Sequence, residues 1–229
     1  MTPPWWPAPQ GPRQPCGAGF FFGGKMNRVI AFIDGFNIYH SLVDSGCRNL
    51  KWLNYKGLAE AFIAPSIEQL VKVYYFTAVV PWDSNKAARH RAFIQAQNIY
   101  GVETILGKFK EVTRKCRGEC GKKYKTFEEK ETDINIAVTM LLEAGNDTFD
   151  KALLICGDSD LIAGVKALKS LTPHKHIKVI VPFGRSSIDL VNNCHSSARI
   201  KRKHLENNQL PDEIILSGNR KLMKPAEWI

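Results

Sequence analysis

Four aspartates stand where chemistry is readily arranged in a protein of alternating strands and helices. Asp34 ends an apolar run in Ile33-Asp34-Gly35-Phe36-Asn37, and Asp158 and Asp160 follow another in Gly157-Asp158-Ser159-Asp160. Asp133 opens an amphipathic stretch after Glu131-Thr132. Open parallel sheets bind ligands beyond the carboxyl ends of their strands, near the point where strand order reverses. If the two runs are neighbouring strands and the amphipathic stretch begins beside them, four carboxylates share one crevice. Like charges that close raise each other's pKa unless a cation neutralises them. Hard oxygen donors in that number suit Mg²⁺ or Mn²⁺. An ion held in that way acts naturally on a phosphodiester, by neutralising a phosphate oxygen, activating water and steadying the leaving oxygen.

Each residue also has a plainer use. Asp34-Gly35 can be a turn, Asp158 a helix cap, and Asp160 and Asp133 first-turn acids favoured by the helix dipole. One cap needs one acid, however, and this edge offers at least three more. Asn37 can present its amide to a carboxylate, a water or a phosphate; its plainer use is a helix N-cap.

The elements that position these residues read as strands at 28–33, 71–76, 102–106, 152–156 and 177–181, short apolar runs of the kind buried on both faces of a parallel sheet. Helices are expected at 83–100, with Ala87, Ala88, Arg91, Ile94 and Asn98 at helical spacing, and at 133–144, with Ile136, Ala137, Met140, Leu141 and Ala144 on one face. A third is expected at 160–170 and a short fourth from Ser186, where Ser186 and Asp189 fit a capping box. The alternation predicts a three-layer α/β domain with a mostly parallel central sheet, spanning 26–205. Residues 1–25, rich in Pro and Gly, read as an unstructured leader, with Met26 an alternative start. Residues 206–229 read as a tail that docks through Leu210, Ile214, Ile215, Leu222 and Trp228.

Composition narrows the partners. The chain has 229 residues, 44% hydrophobic, enough for a real core, and 32 Lys+Arg against 22 Asp+Glu leave a charge of +10. That surplus favours a polyanion. No apolar run reaches the ~20 residues of a bilayer span. Six scattered cysteines in a chain of this length suggest reduced thiols and a cytoplasmic setting. Gly19 to Lys25 imitates a phosphate-binding loop, but Met26 replaces the hydroxyl residue that would hold magnesium and the run precedes a strand; that reading is rejected. Trp5-Trp6 reads as an unstructured aromatic pair.

The strings IAFIDGFNIYHSL, EEKETDINIAVTMLLEA and DKALLICGDSDLIAGVKAL resemble the NYN domains of the LabA-like branch of the PIN nuclease superfamily, over residues 28–203. The strand–DGxN opening, Lys130 and Asp133 at a helix start, and the GDSD turn occur in the family's order. Leu161 departs from it, standing where many relatives carry an aromatic, which bears on packing. The resemblance implies a PIN-like, Rossmann-like fold. It also implies a metal-dependent endoribonuclease acting on single-stranded or loosely structured RNA and leaving a 5′-phosphate. Asp34, Asn37, Asp133, Asp158 and Asp160 match the family's site positions, with Asp34, Asp133, Asp158 and Asp160 as metal residues.

Lys108 to Lys125 reads as a flexible basic loop between the third strand and the helix bearing Asp133. Its Lys108, Lys110, Arg114, Lys115, Arg117, Lys122, Lys123 and Lys125 would hold RNA phosphates, with Phe109 and Tyr124 stacking on bases. Residues 199–204 read as a charged edge strand. Cys116-x-x-x-Cys120 is half of a zinc site, with His174, His176, Cys194 or His195 as distant completing ligands; a local disulfide or idle thiols fit better. His174 and His176 sit in a Pro-containing turn, and Cys156 belongs to a buried strand. RNA is the expected partner and a homo-oligomer is compatible. Two rivals stand beside the nuclease. One is a non-catalytic RNA-binding module. The other is an Asp-nucleophile phosphatase, disfavoured because Phe36 fills the place of its second acid.

Overall fold

A computed structural model describes residues 25–116 and 120–228. Most of the expected leader, with its phosphate-loop imitation and Trp5-Trp6, lies outside them, as does Arg117.

The first strand, β1 (Asn27–Asp34), leads into α1 (Gly35–Asp44), α2 (Tyr55–Glu60), β2 (Glu68–Thr77), α3 (Ser84–Ile99) and β3 (Glu103–Leu106). A two-stranded ribbon follows, β4 (Lys108–Lys115) and β5 (Lys123–Lys130), then α4 (Thr132–Gly145), β6 (Lys151–Ile155), α5 (Ile162–Leu171) and β7 (His176–Val181). The chain closes with α6 (Ile188–Asn193), β8 (Ser196–Arg199), α7 (Arg202–Asn207) and the pair β9 (Glu213–Ile215) and β10 (Lys221–Met223). Six strands form one sheet in the order β3-β2-β1-β6-β7-β8, and every pairing in it is parallel. Strand order reverses between β1 and β6, so the crevice of an open α/β sheet falls at their carboxyl ends.

β1 explains why the sheet is a middle layer. Val29, Ala31 and Ile33 enter one core with Ile38 of α1, Phe93 of α3 and the tail. Ile30 and Phe32 enter the other with Ile136 and Met140 of α4 and Leu168 of α5. Each fully buried Val, Ile, Leu, Phe or Met side chain among them contributes ~1.5–3 kcal/mol, and a strand apolar on both faces has no other stable place.

Several expectations need correction. The basic segment is no loop: Lys108 to Lys115 pairs antiparallel with Lys123 to Lys130. Its Phe109 packs on Phe36 and Trp82, with ring centroids 5.8 and 4.8 Å apart, so that ring is occupied within the protein. The 83–100 helix forms, but its buried side is Ala87, Phe93, Ala96 and Gln97, while Ala88, Arg91 and Asn98 face solvent. No Ser186–Asp189 capping box exists: the Gly184 turn (φ +71°) delays the helix to Ile188, with Ser187 as a cap that makes no side-chain bond. Of 199–204, only Arg199 is in a strand, and α7 takes over from Arg202. The helix expected from Asp160 opens as a 3₁₀ turn, Ser159–Leu161, before α5; Leu161 is buried as a packing residue. His176 is the first residue of β7, its Nε2 2.8 Å from Ser196 Oγ. The tail docks through Leu210, Ile214, Leu222 and Trp228, whereas Ile215 is 72% exposed.

Candidate metal centre

β1, β6 and α4 deliver the acids. Asp34, 2% exposed, is the last residue of β1 and the N-cap of α1, its Oδ1 accepting the Asn37 N–H at 3.0 Å. Asn37 is therefore not the cap but a first-turn residue. Its Nδ2 donates to Asp34 Oδ2 at 2.7 Å and its Oδ1 accepts the Gly157 N–H at 3.1 Å. One amide thus ties the ends of β1 and β6 together and fixes the Asp34 carboxylate. A side chain on Gly35 would place its Cβ 2.2 Å from Tyr75 Cε2, which is why the residue after Asp34 is glycine.

Asp158 caps the 3₁₀ turn, its Oδ1 accepting the Asp160 N–H at 3.0 Å. Asp133 lies in the first turn of α4. The helix start is built from outside by Glu129, whose Oε1 accepts the Thr132 N–H at 3.1 Å, while Glu131 turns the chain through φ +80°. That left-handed residue is costly for a side chain larger than glycine and sets Asp133 towards the crevice.

Carboxylate oxygens of Asp133, Asp158 and Asp160 lie within 4.8 Å of one another, the one such group of three or more Asp, Glu, His or Cys among the described residues. Asp34 is outside that trio but close enough for its charge to act on Asp133. Burial first, then Asp34, Asp158, Glu129 and Asp160, push the Asp133 carboxyl up to about 6. Burial likewise raises Asp34, against the hydrogen bonds from Asn37 and Cys156 that lower it. The donor set is all oxygen, acidic and short of positive charge, which fits a hard divalent cation.

Sequence reasoning missed two supporting residues. Cys156, assigned to the core and indeed fully buried, donates its thiol to Asp34 Oδ2 at 3.2 Å and accepts the Asp158 N–H at 3.2 Å. Glu129 is the other; its position three residues before Thr132 was the available signal. Cys116 and Cys120 lie at the ribbon's end and form no disulfide, and no zinc cluster containing them occurs among the described residues.

A wholly parallel α/β sheet with carboxylates gathered at its switch point is the architecture of a PIN-like, Rossmann-like domain. The chain belongs to the NYN domain family, whose signature matches residues 28–200. It is 23% identical to the 6-hydroxy-3-succinoylpyridine 3-monooxygenase HspA of Pseudomonas putida (strain DSM 28022 / S16), over 88% of this chain and 75% of that one. A crystal structure of a Vibrio parahaemolyticus RIMD 2210633 protein of unknown function superposes with a TM-score of 0.56 at 16% identity, covering 82% of this chain and 98% of the other. That likeness concerns the fold alone. No described helix is long and apolar enough to cross a membrane.

Proposed function

We propose that the protein is a divalent-metal-dependent endoribonuclease acting on single-stranded or loosely structured RNA. The observation that carries this reading is the Asp133, Asp158 and Asp160 group, within 4.8 Å and backed by buried Asp34. Mg²⁺ or Mn²⁺ would be held by that trio, with Asp34 adding charge. When bound, the ion neutralises phosphate charge, acidifies water and steadies the leaving oxygen. The protein's own share is positional. Asn37 and the Cys156 thiol fix Asp34, Asp133 orients the attacking water, and basic residues of the β4–β5 ribbon hold the RNA backbone.

The test is cleavage of end-labelled single-stranded RNA by purified protein with Mn²⁺ or Mg²⁺, run beside EDTA and Asp158→Asn. Cleavage lost in both controls is the expected result. Wild type and variant cutting equally overturns the site assignment. Salt-sensitive binding without cleavage replaces the enzyme with an RNA-binding module. A second reading, oxidation of a small heteroaromatic acid such as the one in the relative's name, is favoured by an aromatic-lined cavity beside Asp34. Dioxygen- and reductant-dependent consumption of 6-hydroxy-3-succinoylpyridine, with RNA left intact, would put that reading first.

A further inference from the structure

On the face of the sheet away from α4, α1, α3 and the C-terminal tail enclose a cavity of about 210 Å³ that the metal centre does not use. Its walls are aromatic: Phe36, Tyr39, Tyr55, Tyr75, Phe93 and Trp228. The volume is below the roughly 300–1,000 Å³ that accommodates a drug-sized ligand, so it suits a single ring system.

The floor is polar. His90 Nε2 lies 3.0 Å from the Tyr75 hydroxyl and 3.1 Å from Thr77 Oγ1. Burial lowers the His90 pKa to about 4, which leaves a neutral imidazole at pH 7. A neutral imidazole and two hydroxyls can each donate or accept, as the edge of a heterocycle requires.

The mouth is cationic. Lys51, Lys86 and Arg89 line it; Arg89 engages Glu227 at 2.8 Å and Lys86 engages Asp83 at 3.5 Å, which leaves Lys51 without an ion pair among the described residues. Lys51 Nζ sits 5.8 Å from the Tyr39 ring centre and 5.2 Å from that of Trp228. Burial first, then Arg48 and Arg89, lower its pKa against Glu227, which raises it; an incoming anion would raise it further. Stacking walls, a hydrogen-bonding floor and an anion-seeking mouth together describe a nucleotide. A lipid tail would leave the floor unmatched, and a free phosphate would leave the walls unused.

The cavity adjoins the acids. Gly35 and Phe36, which line it, directly follow Asp34, and the Asp34 carboxylate is near enough to raise the Tyr55 and Tyr75 phenols, although burial is the larger cause for both. We propose that this cavity is a nucleobase slot: it takes the base of one nucleotide of single-stranded RNA, Lys51 meets a phosphate of that nucleotide, and the adjoining backbone runs to Asp133, Asp158 and Asp160. The RNA part rests on the ribonuclease reading; capture of the ring does not.

The experiment separates the two. The full chain in EDTA is titrated with the four nucleoside 5′-monophosphates, ribose 5-phosphate and inorganic phosphate, following tryptophan fluorescence. At least one nucleotide binds about tenfold or more tighter than ribose 5-phosphate, the difference that one stacked base supplies. Lys51→Met weakens nucleotide binding several-fold, and His90→Leu changes the ranking of the four bases. With Mn²⁺ present, RNA carrying a single abasic nucleotide next to the scissile bond is cut about tenfold more slowly. Ribose 5-phosphate binding as tightly as every nucleotide overturns the slot, as does wild-type nucleotide affinity in both variants. Nucleotide binding without RNA cleavage keeps the slot and removes the ribonuclease. Cleavage indifferent to every abasic position, with no nucleotide binding, removes the slot alone.

Discussion

The two ends of the β1–β6 strand pair both gather aspartates. At the amino end Asp150 accepts the Arg28 backbone N–H at 2.8 Å and its guanidinium at 2.8 and 3.1 Å. Asp147 accepts Lys175 Nζ at 2.6 Å. The Arg28 side chain holds the Asp150 carboxyl below the usual range, and Lys175 followed by Arg28 does the same for Asp147. At the carboxyl end Asp133 moves the other way, to about 6, and no Lys or Arg among the described residues forms an ion pair with Asp34, Asp133, Asp158 or Asp160. Identical residues at opposite ends of the same strand pair thus have opposite electrostatics. Acids that hold the fold together bring their counter-charge with them; on the proposed reading the acids at the carboxyl end take theirs from a bound cation.

The largest effect follows from exchanging one acid at each end. Asp158→Asn should lower metal-dependent RNA cleavage by about 100-fold or more, since several kcal/mol of metal-supplied charge stabilisation is at stake. Asp147→Asn should leave cleavage within about twofold: asparagine tolerates the left-handed backbone at that position (φ +51°). Comparable losses in the two variants would end the distinction. The converse break is Lys175→Met. The ammonium is buried and donates at 2.6 Å to both Asp147 Oδ1 and the Phe149 carbonyl. Removing it strands a buried acceptor, which costs about 2 kcal/mol, or a melting point lower by about 5 °C in a chain of this size. Turnover per folded molecule should be unchanged; a fall in turnover with the melting point intact would contradict the assignment.

The pH dependence sharpens the comparison at about 1 kcal/mol. Asp150 has a folded pKa below its unfolded value near 4. Its stabilisation is therefore complete at neutral pH and lost as pH falls through the folded value. Asp133 has a folded pKa raised to about 6, so its ionisation opposes folding above that pH and the penalty fades as pH falls from 6 towards 4. In EDTA at pH 7.5, Asp133→Asn should stabilise the protein by about 1 kcal/mol, a figure already reduced for a half-exposed carboxyl. The gain should shrink through pH 6 and reverse once Mn²⁺ is added, because only the wild type then gains an ion to bind. Denaturant melts of both proteins at pH 7.5 and 5 measure it; a variant less stable than wild type in EDTA would mean Asp133 already has its counter-charge.

The parts of this layout that were legible in sequence are those that one local rule decides. β1 and β6 are apolar at consecutive positions because both faces are covered, and Ile136, Met140 and Ala144 repeat at helical spacing because one face is. The acids were legible because they abut such runs. The β4–β5 ribbon was not, since its strands carry Lys, Arg and Glu on both faces and neither face is buried enough to impose alternation. The Cys156 bond to Asp34 escaped notice because a buried cysteine ordinarily needs no partner. The aromatic cavity was hidden for a different reason: its lining runs from Gly35 to Trp228, a span over which no periodicity operates.

The smallest predicted effect applies the same distinction to the ribbon's positive charges. Lys108, Arg114 and Lys125 are already bound to Glu131, Glu128 and Glu111. Lys110, Lys115, Lys122 and Lys123 form no ion pair among the described residues, and all four are exposed. If unpaired charge is what the molecule keeps for ligands, each Gln substitution in the second set should reduce the salt dependence of single-stranded RNA binding by up to about 0.7 in log K against log salt. Substitutions in the first set should change it little, because each frees an acid that repels the same backbone or merely removes a charge already neutralised. The losses in affinity at fixed salt are below about 1 kcal/mol each, so the slope, measured at several salt concentrations with the Asp158→Asn protein to keep the RNA whole, is the better readout. Equal slopes for the two sets would mean that the ribbon acts through its total charge and that pairing inside it does not select which lysines meet the RNA.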